Sequence, residues 1–201
     1  MGSPSLTEKI PPLNVPFVSQ PNEYTCVPAC LKMVLDYVRQ VLHETAPEMP
    51  NFETGEIAKI VGTLHNGTTL PNVLKINRAL RRSIPSVEFS VDFNPHDFTE
   101  IVEELRVSRP VMPWLLRREG ERAYEHVVVV TGYDPVEQLV AVNDPQGGIP
   151  SAIGVTEFMD QWEGADRILI KLKVNQKIQR LITDWVEETA RKVEAVEVAS
   201  A

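Results

Sequence analysis

Cysteine is almost absent from this chain: two residues in 201, Cys26 and Cys30, four positions apart. Two thiols cannot form the framework that staples small secreted domains, and on one helix a bridge at that spacing is geometrically awkward, so both are expected to be reduced. Long apolar runs are missing as well. No window reaches the roughly 18 to 20 apolar residues that a membrane helix needs, and the start "MGSPSLTEKIPPLNVPF" lacks the apolar centre of a signal peptide. A cytoplasmic protein is the expectation, with secretion open if the N-terminus is truncated. Positive charge is scarce: 20 Lys and Arg against 28 Asp and Glu leave a net charge of -8. The basic residues cluster only as Arg78, Arg81, Arg82 and as Arg117, Arg118, which argues against nucleic acid as a partner. Nothing has the grouped His and Cys spacing of a metal site. What remains is an average globular composition, 43% hydrophobic and 24% charged, in a chain long enough for one domain with a sizeable core.

Residues 1–13 carry three prolines and read as an irregular lead-in. From Cys26 onward, Ala29, Cys30, Met33, Val34, Tyr37 and Val38 keep helical spacing, which predicts a helix with one buried face. Pro28 suits its first turn, so the helix starts within a residue or two of Cys26. "TGEIAKIVGTL" predicts a short helix capped by Thr54, and "GTTLPNVLKINRALRR" a helix opening near Pro71. "SVEFSVDF" alternates as a strand does, and "PHDFTEIVEELRVS" returns to helical spacing. The second half changes character. "RPVMPWLLRR", "EHVVVVTGYD" and "LVAVNDP" are apolar, β-branched runs separated by turn residues, and "ADRILIKLKV" follows the short helix "TEFMDQW". Helices first and strands afterwards imply an α+β fold with an antiparallel sheet. From residue 174 to 201 the apolar residues Ile178, Leu181, Ile182, Trp185, Val186, Ala190, Val193 and Val196 form the stripe of an amphipathic helix. That stripe can pack on its own domain, or contact a second copy or a partner protein.

A thiol is a nucleophile as thiolate, a state favoured at a helix N-terminus beside a His that takes the proton. Cys26 meets the first condition. The chemistry further needs a base, a group that orients the base, and donors for the developing oxyanion. Of four histidines, His43, His65 and His96 lie in polar loop or helix-start settings, whereas His126 opens the run "HVVVV". It is the best base: a strand holds it and solvent can reach it. Asp144 in "VNDPQGG" can orient it if the "TGYDPVEQ" turn makes the two strands neighbours, with Asn143 and Asp134 as rivals. Gln20, six positions before Cys26, can donate to the oxyanion together with the Cys26 N–H. Cys30, one turn further along the helix, reads as core, and Trp114 and Trp162 as core and cleft wall.

The stretches "VPFVSQPNEYTCVPACLKMVLDY", "GTTLPNVLKINRAL", "EHVVVVTGYD", "VNDPQGG" and "TEFMDQW", in this order, resemble the double-glycine leader peptidases of bacteriocin exporters and their free-standing relatives. These belong to the papain-like superfamily. The resemblance spans roughly residues 14 to 172 and implies a papain-like fold over 14–173, with the tail 174–201 outside it. It also implies a cysteine peptidase acting on a peptide or protein substrate without cofactor, with catalytic Gln20, Cys26, His126 and Asp144. The family carries Gly directly after the nucleophile; here Val27 stands there, a branched side chain expected to narrow the space before the thiol. The same groups would serve a deamidase, an isopeptidase or a transglutaminase-like acyl transferase. A catalytically silent peptide-binding module of this fold is the non-enzymatic alternative.

Overall fold

The computed structural model describes residues 6–93 and 97–199; the expectations that fall on residues 1–5, on His96 and on the last two residues lie outside it. Seven helices and seven strands follow in chain order among the described residues: α1 Cys26–Leu42, α2 Thr54–Ile60, α3 Leu70–Val73, α4 Ile76–Leu80, β1 Val87–Asp92, α5 Phe98–Arg106, β2 Val111–Glu119, β3 Arg122–Val127, β4 Val129–Asp134, β5 Leu139–Asn143, β6 Pro150–Gly154, α6 Val155–Glu163, β7 Leu169–Val174 and α7 Gln176–Ala199. The strands form one antiparallel sheet in the order β1-β7-β2-β4-β5-β6, with β3 paired to β2. The α+β expectation holds, and an N-terminal helical part packs on the sheet. None of the described helices is long and apolar enough to cross a membrane.

Helix α1 is the central packing element. Its sequence predicts one buried face, but twelve of its 17 residues are buried. The reason is its position between the sheet, which it meets at β3 and β4, and helices α2 and α7 on its other sides. Leu31, Met33, Val34, Tyr37 and Val38 all join the core. The Tyr37 hydroxyl finds the Ser108 carbonyl at 2.8 Å, so its burial leaves no unpaired polar atom. The tail helix α7 closes over α1 through Ile178, Ile182 and Trp185, whose ring meets Tyr37 edge-on at 5.8 Å. Further along the helix Val193 and Val196 are exposed.

Four local readings need correction. The cap of α2 is Glu53, which accepts from the Glu56 N–H while the Glu56 carboxylate accepts from the Glu53 N–H; Thr54 is the first helical residue. The segment after Gly67 folds as two short helices, α3 and α4, in place of one. Strand β6 has no counterpart in the sequence reading, since its residues, exposed or half-exposed at the sheet edge, carry no alternation. The run "EHVVVVTGYD" breaks at Val128 into β3 and β4. The register explains that break: Trp114 faces Val127 and Val111 faces Val130, so Pro113 falls opposite Val128 and offers no N–H to the ladder.

The edge of β4 that β2 leaves open is used by the lead-in. Ile10 exchanges backbone hydrogen bonds with Tyr133 (2.8 and 2.9 Å), and the Leu13 N–H reaches Thr131 at 2.9 Å. This approach requires Gly132, because a Cβ there would sit 2.9 Å from the Ile10 carbonyl and the Pro12 backbone.

Candidate active site

Cys26 is the first residue of α1 and is half-buried. The loop before it is knitted around Asn22: its carbonyl accepts from Thr25 Oγ1 (3.1 Å) and from Gln20 Nε2 (2.9 Å), and its side chain accepts from the Tyr24 N–H (3.3 Å). The first-turn N–H groups of a helix have no intrahelical partner, and Pro28 contributes none, so the Cys26 end presents backbone donors rather than a carbonyl edge.

One turn into α1, the Cys30 thiol donates to the Val127 carbonyl at 3.2 Å. This bond fixes the helix against β3 next to His126. Burial, followed by the neighbouring Cys26 and Asp144, pushes the Cys30 thiol well above its ordinary value and keeps it neutral. Cys30 is thus a core residue that sets the height of Cys26.

His126 is 3% exposed and its Nε2 lies 2.7 Å from Asp144 Oδ1. Cys26 is the other side chain that acts on its imidazole. With Nε2 committed to the carboxylate, Nδ1 is the nitrogen left for sulfur. Burial alone would lower the imidazole's pKa; the hydrogen bonds and charges of Asp144 and Cys26 outweigh it and raise it. Burial would raise Asp144, but the hydrogen bond and charge of His126, the Gln146 N–H and the Arg117 guanidinium hold it well below the usual carboxylate range. The carboxylate is therefore ionised wherever the imidazole titrates.

The neighbouring strands that join these groups are not quite those foreseen. His126 lies one residue before the end of β3, whose partner is β2, while Asp144 follows β5, whose partner is β4; the chain passes from β3 to β4 at Val128. The rivals of Asp144 point elsewhere. The Asn143 amide donates to the Val15 carbonyl at 2.9 Å, and Asp134 sits in the β4–β5 turn with Lys9 at 2.7 Å. His43 is exposed beyond α1, and His65 meets the edge of Tyr24 at 5.0 Å. Gln20 is brought to the Asp144 turn by its own N–H, which donates to Pro145 at 2.9 Å. One amide hydrogen of its side chain is used by Asn22, which leaves the second.

Trp114 and Trp162 do not line the cleft. Leu115 pairs with His126 and so shares its face, which turns Trp114 to the opposite face of β2, where α6 packs with the fully buried Trp162. Val27 is also placed differently from expectation: it is 2% exposed and belongs to the core, so its side chain is spent on packing and does not stand before the thiol. Val27→Gly is expected to cost roughly 2–3 kcal/mol, or about 5–10 °C in Tm, through lost burial and helix propensity. The alkylation rate of Cys26 should stay nearly unchanged; thermal unfolding beside an iodoacetamide time course checks both halves.

Two residues at this site escaped the sequence reading. Arg117 Nη1 lies 2.7 Å from Asp144 Oδ2, and Tyr124, opposite Arg117 in the β2–β3 ladder, lies beside the imidazole with ring centroids 6.4 Å apart. The signal was the turn between Glu119 and Arg122, where Gly120 has φ 60° as the first central residue of a two-residue hairpin loop. Counting back from that turn pairs Arg117 with Tyr124 and Leu115 with His126.

A helix carrying a cysteine at its start, laid against an antiparallel sheet that carries a histidine and its acidic partner, is the arrangement of papain-like cysteine peptidases. The model of the Peptidase_C39-like family matches residues 12–169, and the chain belongs to that family. Solved structures agree on the fold. A C39-like peptidase from Bacillus anthracis superposes with a TM-score of 0.60 at 15% identity, covering 84% of this chain and 98% of that one. The peptidase domain of Streptococcus ComA, a bifunctional ABC transporter of a quorum-sensing pathway, gives 0.57 at 19% identity over 79% of this chain and 98% of that one. A double-glycine-motif protease from an AMS/PCAT transporter, in complex with its leader peptide, gives 0.57 at 20% identity over 83% of this chain and 98% of that one. No curated protein matches the chain.

Proposed function

We propose that this protein is a cysteine peptidase in which Cys26 attacks a peptide carbonyl. The observation that carries the reading is the contact between His126 Nε2 and Asp144 Oδ1 at 2.7 Å, which leaves the opposite ring nitrogen for the Cys26 thiol at the start of α1. In this mechanism His126 Nδ1 takes the thiol proton as sulfur adds to the carbonyl. The oxyanion is met by the Cys26 N–H and the spare amide hydrogen of Gln20. The imidazolium then protonates the leaving amine as the thioester forms, and a water deprotonated by His126 hydrolyses it, returning the thiol. Asp144 keeps the ring oriented and stabilises its charged form. The substrate is a peptide segment, a reading supported by the family and by the leader peptide held by one structural relative.

The test is digestion of a peptide mixture that includes segments ending in two glycines, followed by mass spectrometry of the products. Native protein should cleave, and Cys26→Ala should fall by at least about 10⁴-fold while unfolding at the same temperature. Retained cleavage in Cys26→Ala would refute the assignment. Peptide binding without cleavage by the native protein would identify a silent binding module instead.

A further inference from the structure

Asp144 uses its two oxygens differently. Oδ1 accepts from His126 and from the Gln146 N–H at 2.9 Å, while Oδ2 faces Arg117 Nη1 at 2.7 Å. The ion pair is largely out of water, with side-chain exposures of 19% for Arg117 and 10% for Asp144. It therefore differs from a surface salt bridge, which contributes little. Behind the guanidinium stands Tyr124, its partner across the β2–β3 ladder, whose hydroxyl donates to Glu119 at 2.9 Å and whose ring carries Arg122 at 5.6 Å from its centroid. A row of polar side chains thus runs from the β2–β3 hairpin through Tyr124, Arg117 and Asp144 to His126.

We infer that Arg117 is a positioning residue for the thiol–imidazole pair, locking the carboxylate of Asp144 by its second oxygen so that the first stays aimed at His126. This rests on the peptidase reading above. A carboxylate held at one oxygen only can turn about its Cβ–Cγ bond; held at both, it presents one fixed acceptor to the imidazole. The charge acts too. Arg117 offsets part of the field by which Asp144 favours the imidazolium, so removing it leaves His126 protonated to higher pH. The groups facing His126 are the Cys26 and Cys30 thiols of α1, Asp144 after β5, Arg117 of β2 and Tyr124 of β3, with Glu119 behind Tyr124.

The test reads iodoacetamide alkylation of Cys26 against pH in the full chain, with thermal unfolding recorded for each variant. Arg117→Gln should lower the maximal rate roughly 10- to 100-fold, as loss of a hydrogen bond to a charged group does, and move the alkaline limb of the profile to higher pH. Arg117→Lys, able to make the single N–H contact, should recover most of the rate and restore the limb. Millimolar guanidinium should partly rescue Arg117→Ala. An unmoved limb in Arg117→Gln would overturn the inference, whether the rate is kept or lost, because a merely structural arginine lowers the competent fraction without shifting the profile. Failure of the peptidase reading looks different: the native thiol itself would alkylate no faster than an ordinary one.

Discussion

Replacing His126 with alanine is expected to lower peptide hydrolysis at pH 7 by roughly 10³- to 10⁴-fold, the upper range for loss of a general base. The same change should reduce alkylation of Cys26 at pH 6 to that of an ordinary thiol, since in the proposed mechanism the imidazole accepts its proton. The two readouts should fall together. The fold should tolerate the change, because β3 is held by its pairing with β2 and by the Cys30 contact to Val127, neither of which uses the imidazole. A variant that lost hydrolysis but kept fast alkylation would mean that another group activates the thiol. Of the other described histidines, His43 is exposed beyond the far end of α1 and His65 packs edge-on against Tyr24.

Removing the orienting carboxylate, Asp144→Ala, should cost roughly 10²- to 10³-fold in turnover. Asp144→Asn should cost less, since an amide oxygen can still accept from Nε2. Its signature is electrostatic: without the carboxylate charge that raises His126, the alkaline limb of the pH profile moves to lower pH. Removal of Arg117 moves that limb the other way, so the two halves of one ion pair give opposite shifts. Stability follows the same groups. The lowered Asp144 contributes stability that is present above its ordinary value of 3.8 and is lost as pH falls from there toward its folded value. The raised His126 contributes stability that is complete below 6.5 and is lost as pH rises through its folded value. Native protein should therefore weaken as pH drops below about 4, and Asp144→Asn should lack that part of the slope. Urea unfolding at several pH values measures it; parallel slopes in the two proteins would contradict the ionised, buried carboxylate.

The helix start at Cys26 was legible because its signals are local: Pro28 in the first turn and apolar spacing behind it. His126 and Asp144 were legible because a polar residue at the end of an apolar run is conspicuous in a strand. Arg117 was not, because Arg117 and Asp144 are 27 positions apart and meet only once the β2–β3 register is known. Pro113 shows the same limit: its effect falls on Val128, across the ladder, where the sequence shows an unbroken valine run. The burial of Val27 depends on what surrounds α1 on its other sides, and helical periodicity sees only one of them. Local chemistry was readable, whereas the consequences of pairing and of layer order were not.

The central claim is that Cys26 is activated by His126, and the most direct measurement is the rate of iodoacetamide labelling at pH 6 in the native chain, located by peptide mapping and compared with Cys26→Ala. Rapid labelling confined to Cys26, with Cys30 untouched until the protein unfolds, is the predicted result. Labelling of Cys26 no faster than a free model thiol at the same pH would contradict it.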